Sequence, residues 1–291
     1  MSNKILTILS GSPRGGVQTW DSLFKNVLNH LNSDLAICTT DNFILNDMLI
    51  KRAKYKWILN NYDNFELYYE ENYSGNWKNY FELGKGYGLY ESGLIHFALK
   101  DFIKNNYIEI IKQYDYVVFS RFDQFYIDKH PSPQRGKIII PKGEDYFGLC
   151  DRHAILDTKL ANEYFSIVDY INENSSIKDI PKFPNCESVY LKHLESNKLI
   201  NTVNRVNRFL FTSSLKNEKT NWRIPKYKIF FTKGLMIKYP DEFIDGVRNA
   251  IKKYGLRRFV IENFLICLTY FYLRLRYIFR IRKRFEEYSY G

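Results

Sequence analysis

The chain has 291 residues, a length that suits one large α/β domain or two small ones, with ample material for a core in either case. Hydrophobic residues make up 45% of it and aromatic residues 17%, which excludes a disordered or low-complexity chain because the apolar area can offset the loss of chain entropy. The net charge is +11, but residues 248–291 hold eleven Lys or Arg against three Glu, so only +3 belongs to residues 1–247. The basic balance therefore indicates an anionic partner for the C-terminal end rather than for the whole chain.

The cysteines and the N-terminus favour a reducing, cytosolic setting. The four cysteines are isolated and lack both the paired spacing of a zinc site and the density of a secreted disulfide scaffold. The chain reaches an apolar strand within a few residues, without the basic and then apolar pattern of a secretory signal. We therefore expect a cytoplasmic protein.

The first forty residues predict a β-α-β unit. An apolar run at Ile5–Leu9 indicates a strand, and a helical pattern follows from about Thr19 to Leu31. Asp34–Thr39 is typical of a second buried strand, so the opening predicts parallel strand pairing. Ligands of such sheets bind at the carboxyl ends of the strands, where the Gly11–Gly16 turn lies.

The turn after the first strand is a candidate phosphate site. Gly11 and Ser12 are small enough to let backbone amides approach a phosphate, the next helix offers its positive end, and Arg14 adds a cation. The segment matches neither the P-loop pattern nor the Rossmann glycine pattern. An ordinary strand-to-helix turn is the alternative.

Further elements follow in alternation. Residues 50–90 are rich in Tyr, Asn and Trp without clear periodicity, and we interpret them as an excursion over the sheet. The remaining elements are predicted from periodicity and apolar runs as a helix at 90–114, strands at 116–120 and 137–140, helices at 159–173 and 187–196, and a strand near 201–210.

Arg121 and Asp123 stand at the exit of the predicted central strand. Asp123 offers hard oxygen ligands to Mg²⁺ or Mn²⁺, and Arg121 can hold a phosphate oxygen, which together suit a metal-bound diphosphate. An ion pair that closes the end of the strand is the alternative.

A loop dense in charged residues follows the strand at 137–140. It contains Glu144, Asp145, Asp151 and Arg152, and such carboxylates can hold a sugar hydroxyl or act as a general base. Glu187 opens the next helix, where the helix dipole keeps a carboxylate ionised, although a plain preference for acids at helix starts explains it as well.

The basic C-terminal segment predicts a helix that lies on a surface. Residues 259–279 are strongly apolar but interrupted by charges, whereas a spanning helix needs about 20 residues nearly free of charge. Flanking arginines suit anionic headgroups, so we predict a tail at 248–291 that binds an anionic membrane surface, appended to a domain at 1–247. Packing of this segment on the protein's own core is the alternative. No nucleic-acid motif is visible elsewhere, which argues against a nucleic-acid partner.

Four segments in order resemble glycosyltransferases of the GT-A fold that build bacterial or viral surface polysaccharides, such as lipopolysaccharide or capsule. They are ILSGSPRGG, YDYVVFSRFD, IIIPKGEDYFGLCDRHAILD and NCESVYLKHL, and the resemblance covers about residues 4–225. It implies an α/β, Rossmann-like mixed sheet flanked by helices. RFD stands where the family has DxD, so an arginine replaces the first metal carboxylate.

The resemblance implies a role for each candidate residue. Gly11, Ser12, Arg14 and Arg121 would bind the nucleotide of a nucleotide-sugar donor, and Asp123 would hold Mg²⁺ or Mn²⁺. The glycan or lipid-linked acceptor would meet the charged loop. The residues assigned there are Glu144, Asp145 and Arg152 for acceptor binding, and Asp151 or Glu187 as the catalytic base.

These expectations describe a glycosyltransferase that is peripheral on the inner face of the membrane. Two alternatives remain open at this point. A sulfotransferase-like enzyme would use the same strand, loop and helix for a phosphosulfate nucleotide, although the loop lacks the Lys or Ser/Thr cluster expected there. A membrane-associated interaction protein would use only the basic tail.

Overall fold

A computed structural model describes residues 3–41, 47–173, 176–216, 227–228 and 234–275. These residues divide by their contacts into two compact units. The first comprises Met1–Pro13, Val27–Phe122 and Pro131–Val206, and the second comprises Arg14–Asn26, Asp123–His130 and Asn207–Gly291, each as far as it is described. The predicted boundary at residue 247 stays a prediction.

The strands are, in chain order, β1 (Ile5–Ser10), β2 (Asp34–Thr40), β3 (Tyr55–Leu59), β4 (Tyr116–Arg121), β5 (Gln124–Tyr126), β6 (Ile138–Pro141), β7 (His153–Asp157), β8 (Val203–Val206), β9 (Leu210–Leu215), β10 (Tyr227–Lys228) and β11 (Leu235–Ile237). The α-helices are α1 (Gly16–Leu23), α2 (Asn29–Leu31), α3 (Asp47–Arg52), α4 (Glu66–Asn72), α5 (Trp77–Leu83), α6 (Leu94–Ile111), α7 (Ala161–Phe165), α8 (Ile167–Asn172), α9 (Cys186–Ser196), α10 (Pro240–Tyr254) and α11 (Leu256–Glu262). Residues 264–275 are also helical.

The first unit is built on a seven-stranded mixed sheet in the order β3-β2-β1-β4-β7-β6-β8. The strands β3, β2, β1 and β4 are parallel, β7 is antiparallel to both of its neighbours, and β8 is parallel to β6. All six residues of β1 are buried, as expected for a central strand covered on both faces. The predicted α/β class with a mixed sheet flanked by helices is confirmed.

The core of the first unit is rich in aromatic rings. Residues 50–90, without clear periodicity in the sequence, form α3, β3, α4 and α5 and bury Tyr69, Tyr80 and Phe81 completely. Trp57 of β3 stacks on Tyr107 of α6 with ring centroids 4.5 Å apart. The excursion is therefore part of the core, and its aromatic residues are structural.

Two expectations about elements are wrong. The helix predicted at 159–173 is broken at Ser166, whose hydroxyl donates to the Glu163 carbonyl at 2.9 Å and thereby competes with the helical hydrogen bonds. The strand predicted near 201–210 is two strands, β8 and β9, which belong to different sheets. Between them lies Arg208, a buried residue of the second unit that forms an ion pair with Glu242 at 2.8 Å.

The second unit contains an antiparallel sheet in the order β10-β11-β9-β5 and the helices α1, α10 and α11. Its core joins Phe211 of β9, Ile237 of β11 and Phe243 of α10. Phe259 and Tyr270 extend this core into the C-terminal segment. The described part of the basic tail is therefore helical and partly buried, and residues 276–291 lie outside the described residues.

Candidate functional site

The carboxyl ends of β1 and β4 lie side by side in the first unit. Ser10 is the register partner of Arg121, so the turn that begins at Gly11 and the Arg121 backbone share one edge of the sheet. β7 runs in the opposite direction and starts at this same edge, and the Arg121 amide donates to the Arg152 carbonyl at 3.2 Å. This is the edge at which open α/β sheets bind ligands.

The turn at Gly11 is fixed by a hydrogen bond to the next strand. Gly11 has a φ of +111°, in a region that favours glycine, and its amide donates to the Cys38 carbonyl at 3.1 Å. The Gly11 amide is thus used by the fold, and a phosphate at this turn needs another donor. Ser12 is half-buried, and a Cβ on Gly11 would lie 3.8 Å from His96 Cε1. His96 was not selected from the sequence because an isolated histidine gives no spacing signal.

The charged loop between β6 and β7 contains strained backbone. Glu144, Tyr146 and Phe147 have φ values of +52°, +39° and +70°, which cost non-glycine residues about 1–2 kcal/mol each. The loop is held by a hydrogen bond from the Gly148 amide to the Asp145 carbonyl at 2.6 Å. Strain of this kind is retained at ligand-binding and active sites more often than elsewhere, which makes this loop a functional candidate.

The three residues expected to bind the acceptor are tied to the same loop by hydrogen bonds. Asp145 pairs with Arg205 through both carboxylate oxygens, at 2.8 and 2.9 Å, and accepts the Cys150 amide at 3.1 Å. Arg152 donates to the Glu144 carbonyl at 3.3 Å, and the Tyr146 hydroxyl bonds to the Glu144 carboxylate. Asp145 therefore has a structural function that the sequence analysis did not foresee.

Asp151 and Glu187 flank the junction between this loop and α9. Asp151 is buried, whereas Glu187 is half-buried in the first turn of α9, next to a capping box formed by Asn185. The Leu149 amide donates to the Glu187 carbonyl at 3.1 Å. A Cβ on Gly148 would lie 2.0 Å from that oxygen, so only glycine permits this approach of loop to helix.

Close enough to Asp151 for an electrostatic interaction lies a buried lysine that the sequence analysis missed. Lys100 of α6 is 2% exposed, and its Nζ has no hydrogen-bond partner among the described residues. Four aromatic rings surround the ammonium at centroid distances of 4.6–5.9 Å, those of Phe97, Phe119, Tyr164 and Tyr190. Burial lowers the pKa of Lys100, and the nearby Asp151 carboxylate opposes that shift. The spacing of Lys100 from Phe97, three residues along the same helix, could have indicated its inward position.

His193, in the same core, should make the protein sensitive to acid. Burial and then the charge of Lys100 lower the pKa of this fully buried imidazole from 6.5 to about 3. The unfolded chain therefore takes up a proton that the folded chain refuses, so the free energy of unfolding falls as the pH drops from about 6.5 towards 3, by up to about 4 kcal/mol. Urea unfolding at pH 7, 5 and 4 measures this slope. It should flatten in His193→Gln and persist in His30→Gln, which alters an exposed histidine. Equal slopes in both variants would contradict the assignment.

Asp123 and Arg14 belong to the second unit. Asp123 is 2% exposed, its carbonyl accepts the Ser213 amide at 2.8 Å, and its Oδ1 accepts from Gln124 at 3.5 Å. Arg14 is half-buried and precedes the N-terminus of α1. Within the described residues no three His, Cys, Asp or Glu form a metal-binding group. A single carboxylate such as Asp123 still fits Mg²⁺, because Mg²⁺ is commonly held by one or two carboxylates together with substrate phosphates.

The second unit also has a half-open pocket of about 600 Å³. Its apolar lining includes Phe125, Phe211 and Phe259, and its charged lining includes Lys25 and Arg258. The volume is that of a small-molecule site, and the lining combines apolar walls with a few charged groups as such sites do.

The C-terminal helical residues expose apolar side chains next to basic ones. Ile261 is 75% exposed and Phe264 57% exposed, whereas Phe259 and Tyr270 are buried in the second core. The described segment is therefore amphipathic, with one face in the core and another in solvent. Among the helices of the described ranges, none combines the length and the apolar character needed to cross a bilayer.

No family model matches the chain, and no curated protein matches it.

Proposed function

We propose that this protein is a glycosyltransferase of the GT-A type that transfers a sugar from a nucleotide-sugar donor to a surface-glycan acceptor such as lipopolysaccharide, capsule or glycoprotein. The observation that carries the proposal is the edge of the first sheet, where the Gly11 turn, Arg121 and the strained charged loop meet. A strand end with a cation, beside a loop with carboxylates, provides the chemistry for a diphosphate on one side and a hydroxyl on the other. The mixed sheet is also what the GT-A resemblance implies.

In this proposal the donor diphosphate is neutralised by fixed positive charge. Arg121 would contact phosphate oxygens, with Gly11 and Ser12 shaping the turn beside the nucleotide. The sequence motifs also assign Arg14 to the phosphates and Asp123 to Mg²⁺ or Mn²⁺; both residues belong to the second unit, and these two roles stay predictions from the sequence. Such an ion, when bound, would stabilise the negative charge of the leaving nucleoside diphosphate.

The acceptor hydroxyl is activated by a carboxylate if the reaction inverts the sugar's configuration. We assign this role to Asp151, whose loop is fixed at both ends by the sheet, and Glu187 is the competing residue. Asp151 is buried and therefore largely shielded from water, which suits a base that acts only when an acceptor is bound. In a retaining reaction neither carboxylate needs to act as a base.

Nucleotide binding distinguishes the proposed glycosyltransferase from the sulfotransferase-like enzyme and the interaction protein. Isothermal titration of the full chain with UDP, GDP and 3′-phosphoadenosine nucleotides, each with and without Mg²⁺, should give heat only with UDP or GDP. Arg121→Ala should weaken that binding about tenfold or more because a charge-assisted contact to phosphate is lost. Lys137→Ala, at an exposed lysine of the first unit, is the control and should bind normally. Binding of the 3′-phosphoadenosine nucleotide alone would favour the sulfotransferase-like alternative, and no binding would favour an interaction protein.

We also propose a peripheral position on an anionic membrane, through the exposed apolar and basic side chains of the C-terminal helices. Because Phe259 and Tyr270 are part of the second core, surface substitutions test this better than a deletion. Ile261→Ser combined with Phe264→Ser should reduce flotation with vesicles that contain anionic lipid, and higher salt should reduce it further. Leu83→Ser, at a leucine of the first unit that is 53% exposed, should float normally. Flotation that is unchanged in the double variant would contradict the membrane assignment.

A further inference from the structure

Three aromatic rings of the first unit stand in solvent and touch one another. They belong to Tyr87, Phe147 and Phe183, and we refer to them as the aromatic platform. Phe147 is 77% exposed, Tyr87 51% and Phe183 37%. The ring centroids of Phe147 and Phe183 are 5.2 Å apart, and those of Tyr87 and Phe183 are 5.9 Å apart. Large apolar groups gathered on a surface usually mark a binding site.

The rings come from three separate parts of the chain, and each is held by local backbone bonds. Tyr87 lies between two glycines with positive φ, and its amide donates to the Gly84 carbonyl at 3.2 Å. The Phe183 carbonyl accepts the Asn185 amide and the Ser188 hydroxyl, both at 2.9 Å, at the capped start of α9. The backbone at Tyr87 and Phe183 is therefore hydrogen-bonded without a ligand, which lowers the entropy cost of binding.

The display of Phe147 is maintained against a steric cost. Its φ of +70° is unfavourable for a bulky residue, and a local relaxation of the loop would remove the strain. The neighbouring Gly148 is packed on the Glu187 carbonyl, which holds the loop in this shape. The strained backbone that exposes this aromatic side chain lowers the stability of the fold. Such strain is typical of binding surfaces rather than of solvated turns.

The platform is adjacent along the loop to the proposed catalytic residue. Phe147 lies four residues before Asp151, on the loop that also carries Glu144. Polar and charged groups accompany the rings: Lys182 lies 5.5 Å above the Phe183 ring, and the Tyr146 hydroxyl bonds to Glu144. A ligand here meets flat aromatic faces together with hydrogen-bond donors and acceptors.

Carbohydrate matches this combination. One face of a pyranose ring presents C–H groups with partial positive charge, which are attracted to the negative face of an aromatic ring. Its edge presents hydroxyls that need polar partners. An aliphatic lipid chain would leave those polar groups without a function.

We propose that the aromatic platform is the acceptor subsite, on which one or two pyranose rings of a glycan stack. This inference rests on the proposed glycosyl transfer and names the acceptor as carbohydrate at the reacting end. The sugar would extend along the loop from Phe147 towards Asp151, with Lys182 beside its hydroxyls.

Saturation-transfer NMR on the full chain tests the platform without any donor. The probes are soluble oligosaccharides built from glucose, galactose, N-acetylglucosamine or a uronic acid, and we expect at least one to receive saturation from the protein. Phe147→Ala should weaken that binding about three- to tenfold, and Phe147→Trp should retain it. Leu67→Ala, at a leucine of the first unit that is 44% exposed and lies outside the platform, is the control and should bind normally.

The outcomes separate this inference from the proposed function. No binding of any probe sugar, or equal binding by the intact chain and a Phe147→Ala, Phe183→Ala double variant, overturns the platform assignment. Self-association that the double variant abolishes also overturns it, because the surface is then a protein interface. UDP or GDP binding with no sugar binding leaves the glycosyltransferase proposal standing and removes only the acceptor subsite. In a transfer assay, Phe147→Ala should raise the KM for the acceptor and leave kcat nearly unchanged, a pattern that a general loss of structure does not produce.

Discussion

Replacing Asp123 by alanine should abolish sugar transfer while the protein stays folded. If Asp123 holds the divalent ion, its loss removes charge stabilisation of the leaving diphosphate, and turnover should fall by about 10³-fold or more. The hydrogen bond between its carbonyl and Ser213 does not involve the side chain and should survive. Turnover with saturating donor and Mg²⁺ or Mn²⁺, together with the thermal midpoint, measures both effects.

Two further variants decide what the loss means. Asp123→Asn keeps the size of the side chain but weakens metal binding, so it should be nearly as inactive as the alanine variant. Asp245→Ala changes an exposed aspartate of the second unit and should be fully active. Near-normal turnover in Asp123→Asn would show that Asp123 only closes the end of the strand.

Asp151→Asn should lower turnover by about 10²–10⁴-fold if Asp151 is the base of an inverting reaction. The substitution keeps shape and burial, so UDP or GDP affinity should change little. Steady-state kinetics at pH 7 and nucleotide titration measure these changes.

Glu187→Gln is the matched comparison, since both residues lie where the charged loop meets α9. A severe loss in Glu187→Gln with a nearly normal Asp151→Asn would move the base to Glu187. Normal turnover in both variants would indicate a retaining reaction. Our assignment requires that Asp151→Asn loses turnover while Glu187→Gln stays nearly normal.

The sequence predicts the strands that line the candidate site because they are apolar runs bounded by glycine or charge. β1, β2, β4 and β6 lie within one residue of their expected bounds. The helix at 187–196 is confirmed as α9, whose start is fixed by a capping box. A local sequence pattern is enough to predict an element where that element buries a continuous apolar face.

The other features of the fold and the site depend on contacts between residues that are far apart in the sequence. Local sequence patterns do not reveal these contacts. β7 was absent from the expected elements because HAILD follows a charged loop, and only the neighbouring strands β4 and β6 make it a strand. Lys100 is a similar case, since a lysine usually predicts a solvent-exposed position and three of the four rings around it belong to elements other than its own helix. The ion pair between Asp145 and Arg205 joins residues 60 apart, so its structural role was hidden as well.

The pairing of β1 with β4 also affects how this chain is made. Ile5 is the register partner of Tyr116, so one of the two edges of β1 stays uncovered until more than a hundred further residues have been synthesised. At about 5–20 residues per second, that edge stays open for roughly 5–20 s during translation. Its pairing with β2 forms much earlier and covers only the other edge. During this interval β1, which is mostly apolar, has one edge with unpaired backbone groups, the kind of edge that can pair with another chain.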